Sequence, residues 1–167
     1  FGNVYTTGYF VGTGDFDPGS GSTILSGPLP ENIYIQKMDQ NGNFLWAKEV
    51  IGNGTDYGKV IGTDLAGNCY VAGTFSDSAD FDPGVGTLNY YALGGGVDIF
   101  VMKLNSSGNL VWAHHFGGST GGADVNDLKV DDLGNVFLTG RFGGDVDFDP
   151  GAGSLVLNYN SGSVYVL

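Results

Sequence analysis

Apolar residues along this chain come in short runs, rich in β-branched and aromatic side chains and bounded by Gly, Asn, Asp or Ser, which is the pattern of strands. No segment carries a helical period. Within the central runs the alternation of a strand puts Tyr70 and Ala72 on one face and Cys69 and Val71 on the other, while Phe100 and Met102 oppose Ile99 and Val101. Neither face is polar. A two-layer sandwich leaves a wet face along several strands, so this pattern predicts sheets covered on both sides.

The runs recur in a fixed order. Gly2-Asn3-Val4-Tyr5-Thr6-Thr7-Gly8 returns as Gly67-Asn68-Cys69-Tyr70-Val71-Ala72-Gly73 and as Gly134-Asn135-Val136-Phe137-Leu138-Thr139-Gly140, at spacings of 65 and 67. Asp15-Phe16-Asp17-Pro18-Gly19 returns as Asp80-Phe81-Asp82-Pro83-Gly84 and Asp147-Phe148-Asp149-Pro150-Gly151 at the same spacings. Ile33-Tyr34-Ile35-Gln36-Lys37-Met38 matches Ile99-Phe100-Val101-Met102-Lys103-Leu104, and Val164-Tyr165-Val166-Leu167 starts the block again. Gly42-Asn43-Phe44-Leu45-Trp46-Ala47 becomes Gly108-Asn109-Leu110-Val111-Trp112-Ala113.

Counting Lys59 to Asp64 and Asp127 to Asp132 as the strand before each Gly-Asn turn gives four strands per unit. Hairpin tips at Asp39-Gln40-Asn41-Gly42 and Asn105-Ser106-Ser107-Gly108 call for glycine at positive φ. Four antiparallel strands per unit, apolar on both faces, describe β-propeller blades. The expected division is a partial blade over 1–56 (strands 2 to 4), a complete blade over 57–116 and a partial blade over 117–167 (strands 1 to 3). The Asp-Phe-Asp-Pro-Gly segment is expected as an insertion before the third strand. About two and a half units cannot close a ring of 4 to 8 blades, so the missing strands are expected from the remainder of a longer chain or from a partner.

The quoted motifs resemble the bacterial SBBP β-propeller repeat family, whose units read Gly-Asn-Val-Tyr-x-Thr-Gly, then Asp-x-Phe-Val-x-Lys-Leu, then Gly-x-x-x-Trp. The resemblance covers essentially the whole chain. The Asp-Phe-Asp-Pro-Gly insertion looks like a subgroup found in large secreted or surface proteins. What the resemblance implies is an extracellular or outer-surface, multi-repeat, non-catalytic scaffold.

Composition narrows the partners. Of 167 residues 31 are glycine, and 18 acids against 6 bases give a net charge of −12, which repels a phosphate backbone. Nucleic acid is not an expected partner; a protein or glycan ligand is. No apolar run approaches the roughly 18 residues of a membrane span, and no signal-like start is present.

The repeated aspartates Asp15, Asp17, Asp80, Asp82, Asp147 and Asp149 admit two readings. In one, Pro-Gly forms a type II turn pinned by the Phe, with the carboxylates bonding local amides. In the other they begin a calcium site, which needs roughly 6 to 8 oxygens; calcium is the one cofactor these residues suggest. Asp56 and Asp64 recur 68 residues on as Asp124 and Asp132, either capping turns or gathering acid around a channel. Trp46 and Trp112 are similar to the inter-blade tryptophans of quinoprotein propellers, and packing explains a Trp present in each of two units. His114 and His115 point to opposite faces and are expected at a solvated strand end, while Cys69 stands where Val4 and Val136 stand and is expected to be buried. No nucleophile elbow, phosphate loop or His-Glu-x-x-His motif occurs, so no catalytic residue is expected. The competing reading is an extracellular enzyme, quinoprotein-like or glycan-cleaving, with its active residues elsewhere.

Overall fold

The computed structural model describes residues 2–167, and the side chains of all of these except 160–162; residue 1 of the first expected unit lies outside the described residues. The chain is all-β, its one helical turn being the 3-10 segment Leu93–Gly95 among the described residues. The first unit holds β1 (Val4–Phe10), β2 (Thr13–Asp15), β3 (Ile24–Ser26), β4 (Asn32–Met38) and β5 (Phe44–Gly52). Next come β6 (Tyr57–Thr63), β7 (Cys69–Ser76), β8 (Ser78–Asp80), β9 (Asn89–Tyr91) and β10 (Val97–Leu104). The last part holds β11 (Leu110–Val130), β12 (Val136–Asp147) and β13 (Val156–Val166). One sheet runs β1-β4-β5-β8-β9, a second runs β13-β12-β11-β10-β7-β6, and β2-β3 is a separate hairpin; every ladder is antiparallel.

The Gly-Asn block lies next to the Lys-bearing block in each unit: β1 with β4, β7 with β10, and β12 with β13. The Asp-Phe-Asp-Pro-Gly segment separates the two and folds as a hairpin. Asp15↔Ile24, Asp80↔Asn89 and Asp147↔Val156 are its equivalent pairs, the last absorbed into the longer strands β12 and β13.

Alternation along the central strands decides the packing. Cys69, Val71, Phe100 and Met102 join Ile33, Ile35 and Val50 of the first unit in one core, whereas Tyr70, Ala72, Ile99 and Val101 join Leu128, Leu138 and Tyr165 in a second. The middle sheet is therefore buried on both faces, as its apolar alternation requires.

At the end of each unit's last strand the ladder passes to the next unit's hairpin. Ile51 of β5 pairs Asp80, and Gly117 of β11 pairs Asp147. After β5 the chain breaks strand before β6, but β11 carries on through the expected boundary at 116/117 as one strand of 21 residues. Gly117, Gly118, Gly121 and Gly122 allow this bend. A Cβ on Gly117 would fall within the Asp98 carboxyl group, and Gly121 takes φ +79.

Each unit also contains one aromatic trio built on the hairpin Phe: Phe10–Phe16–Tyr34, Phe75–Phe81–Phe100 and Phe142–Phe148–Tyr165. Phe81 and Phe148 are buried, while Phe16, in the outer layer, is only half-buried. Phe81→Ala is expected to cost about 3–5 kcal/mol, the range for a buried aromatic, and Phe16→Ala distinctly less. Urea unfolding midpoints of the two variants check this, and equal losses would contradict the layered burial.

Candidate functional site

The six repeated aspartates are placed by three copies of one hairpin tip. In the first, Asp15 Oδ1 accepts the amides of Asp17 (3.0 Å) and Thr23 (2.9 Å), and Asp17 Oδ1 accepts the amide of Gly19 (2.7 Å). In the second, Asp80 Oδ1 accepts Asp82 N–H (3.0 Å) and Leu88 N–H (2.8 Å), and Asp82 Oδ1 accepts Gly84 N–H (2.8 Å). The third repeats this with Asp147, Asp149, Leu155 and Gly151 at 2.7–3.0 Å. These amides, Thr23 or Asp149 foremost, hold the Asp15 and Asp147 carboxyls below the ordinary carboxylate pKa.

The turn is not type II. Gly19, Gly84 and Gly151 are absent from the left-handed region, because the side chain of the preceding Asp supplies the acceptor and closes an Asx turn in place of the backbone carbonyl. The second glycine of each tip has a different reason: a Cβ on Gly21, Gly86 or Gly153 would collide with Oδ2 of Asp17, Asp82 or Asp149.

Two small hollows adjoin these tips where the preceding unit's last strand arrives. One, of about 170 Å³, is lined by Glu49, Asp80 and Asp82; its equivalent, of about 220 Å³, by His115, Asp147 and Asp149. Glu49 accepts the Ser26 amide at 2.9 Å, and burial raises its pKa despite that bond. Among the described residues no three carboxylate, imidazole or thiol groups converge as metal ligands. With Oδ1 of both aspartates engaged by amides, the donors at a tip fall short of the roughly 6 to 8 oxygens calcium takes, so the residues do not fit a calcium cage.

A second family of aspartates closes the strand-to-strand turns. Asp39, Asp64, Asn105 and Asp131 each accept two amides on Oδ1, and Gly42, Gly67, Gly108 and Gly134 sit at φ +78 to +83. The partner of Asp64 is thus Asp131, not Asp132, because the ladders of β6-β7 and β11-β12 correspond at an offset of 67, not 68. Burial opposes the charge of Asp64, but the Asn68 side chain and amide, the Tyr70 hydroxyl and Lys103 overcome it and lower its pKa.

The same one-residue slip separates Asp56 from Asp124, since slipping a strand by one moves a side chain to the other face. Asp124 is exposed and bonds Lys59 at 2.5 Å. Asp56 is wholly buried: Oδ1 accepts the Ser76 amide at 3.2 Å, and Oδ2 has no partner among the described residues. Burial, with the charges of Asp77 and Glu31, pushes Asp56 up to about 7. No channel gathers the two acids. Asp98, also buried and accepting the Leu93 amide at 3.1 Å, is pushed by burial to about 6. Its equivalent in the first unit is Asn32, a neutral residue that donates to Pro28 O and accepts from Gly52 N.

Trp46 ties units together. Its Nε1 (3.1 Å) and Lys37 Nζ (2.8 Å) both donate to Ser106 O in the next unit's turn, and Tyr5 donates to Gly67 O at 2.8 Å. Trp112 packs edge-on to Tyr70, and Lys103 lies 4.7 Å from the centre of that ring. His114 and His115 part to opposite sides, but neither is at a solvated end. His114 packs on Trp112, and half-buried His115 sits 4.6 Å from Tyr90, its pKa lowered by burial and by His114. Cys69 is buried, its thiol pushed up to about 12 by burial. Sequence reasoning passed over Asp98, Lys37 and Tyr5 as contacts; their recurrence in the Asp-x-Phe-Val-x-Lys and Gly-Asn-Val-Tyr blocks was the available signal.

No known family model matches the chain. Over 49 residues, 29% of its length, the chain is 43% identical to an uncharacterized WD repeat-containing protein of Acanthamoeba polyphaga mimivirus. The matched part spans 4% of that protein.

Two outcomes follow from this geometry. The folded pKa of Asp56 exceeds the ordinary 3.8, so the folded state binds the extra proton. Its contribution to stability is full below about 4 and is lost as pH rises through about 7. Asp56→Asn keeps an acceptor for Ser76 and carries no charge, so it should flatten this decline and raise stability at pH 8 by on the order of 2 kcal/mol. Urea unfolding from pH 5 to 8 measures it; parallel wild-type and variant profiles would refute a neutral Asp56. For the hairpin tips, melting curves in chelator and in about millimolar calcium should coincide, with Asp82→Ala lowering both midpoints equally. A calcium-dependent rise that Asp82→Ala abolishes would reverse that assignment.

Proposed function

We propose that the chain is part of a non-catalytic, secreted or cell-surface β-propeller repeat module that presents its loops to a protein or glycan ligand. The observation that carries this reading is equivalence. The aspartates of the hairpin tips and strand turns are used identically from unit to unit, on the backbone, and a catalytic pair would have to be differentiated. The resemblance to SBBP repeats and the likeness to a WD repeat-containing protein support a propeller-like scaffold. Residues 1–56, 57–116 and 117–167 then correspond to blades, with missing strands supplied by more of the same chain or by a partner. Calcium has no part in this reading. Fold likeness alone carries no activity, so an enzymatic role would have to rest on residues beyond these units.

The test is a binding screen of the purified full-length protein on immobilised glycans and on candidate surface proteins, followed by mass analysis of the ligand recovered after prolonged incubation. Saturable binding with the ligand chemically unchanged is the expected result. Recovery of a cleaved glycan or an oxidised substrate would overturn the non-catalytic assignment.

A further inference from the structure

One groove breaks the equivalence of the units. It lies between the second and third, has a volume of about 480 Å³ and is walled by β6, β7, β10, β11 and β12, a size within the range of ligand sites. The cause is visible in the ladder. Tyr57↔Thr74 in β6-β7 corresponds to Asp124↔Arg141 in β11-β12, and Tyr9, just before Phe10, corresponds to Thr74, just before Phe75. At the first junction the two tyrosines meet edge to face, Tyr9 to Tyr57 at 4.9 Å, and occupy the space. At the second, Thr74 and Asp124 stand in their places. Two rings are replaced by short side chains, and the volume opens.

The lining is chemically one-sided. Val97, Ala123 and Phe142 supply an apolar wall, and the charged groups are Lys59, Asp124 and Arg141. Asp124 faces Arg141 across the ladder but is engaged by Lys59 at 2.5 Å. Arg141, the single arginine of the sequence, is in no ion pair among the described residues. Its planar fork of donors suits a carboxylate, and in a chain of net charge −12 an uncommitted guanidinium marks where one anion is admitted. A sugar pressed on this wall would leave hydroxyls without partners, which costs free energy, whereas an apolar side chain loses nothing there.

We propose that this groove binds the C-terminal residue of a polypeptide, its apolar side chain against Val97, Ala123 and Phe142 and its free carboxylate on Arg141. This deepens the interaction reading above and rests on it, by naming the ligand class of one site.

The test is fluorescence polarisation with three labelled probes on the full-length protein: a peptide ending in Gly-Gly-Phe with a free carboxylate, the same peptide amidated, and a trigalacturonate. The free acid should bind saturably below about 1 mM, with the amide and the Arg141→Ala variant each weaker by about tenfold. Arg141→Lys should recover part of the loss. Thr74→Tyr, which reinstates the ring found at the first junction, should abolish binding while Arg141 is untouched. Equal affinity for acid and amide, indifference to both Arg141→Ala and Thr74→Tyr, tighter binding of the sugar, or no binding of the acid would each overturn the proposal. Ligand capture in the broader screen that survives Thr74→Tyr would retire the groove and leave the scaffold reading standing.

Discussion

Burial of the middle sheet on both faces is the constraint from which the other features follow. Cys69, Val71 and Phe100 point toward the first unit, and Tyr70, Ala72 and Ile99 toward the third. Such a sheet has no wet side and is stable only between neighbours. The neighbours must also arrive in register, which is the work of Lys37 and Trp46 on the Ser106 carbonyl and of Tyr5 on Gly67. Passing the end of each last strand to the next unit's hairpin adds backbone bonds across the same junction.

Aspartate serves this architecture in two opposed states. On the tips and turns, Asp15, Asp39, Asp131 and Asp147 are exposed, ringed by amides and held ionised. Inside, Asp56 and Asp98 have lost solvent and are pushed toward the neutral form. Asn32 in the place of Asp98 shows that the interior position needs a hydrogen-bonding group of that shape and not its charge. The large excess of acid is thus mostly turn chemistry distributed over the surface, which explains why it assembles no common site.

Function in a repeat protein is best sought where the repetition lapses. The loss of Tyr9 and Tyr57 equivalents at the second junction is such a lapse, and it coincides with the only arginine in the sequence. The aromatic trios, by contrast, recur in all three units and have a structural task in each.

The order of strands, the hairpin insertions, the positive-φ glycines at 42 and 108, and the two-faced alternation of the central strands were all legible in the sequence. Each depends on residues near one another in the chain or on a period of two. Other features were not. Alignment by spacing paired Asp64 with Asp132 and Asp56 with Asp124, and a slip of one residue exchanges a turn anchor for its neighbour and a buried face for an exposed one. The Pro-Gly tips read as type II turns because composition cannot tell a carbonyl acceptor from the carboxylate of the residue before it. His115 became part of an aromatic cluster only through Tyr90, and the groove at Arg141 exists only because side chains from five strands fail to fill one junction. Local hydrogen bonding and alternation are written along the chain; burial, charge state and empty volume are set by neighbours distant in sequence, and those are decided when the sheets stack.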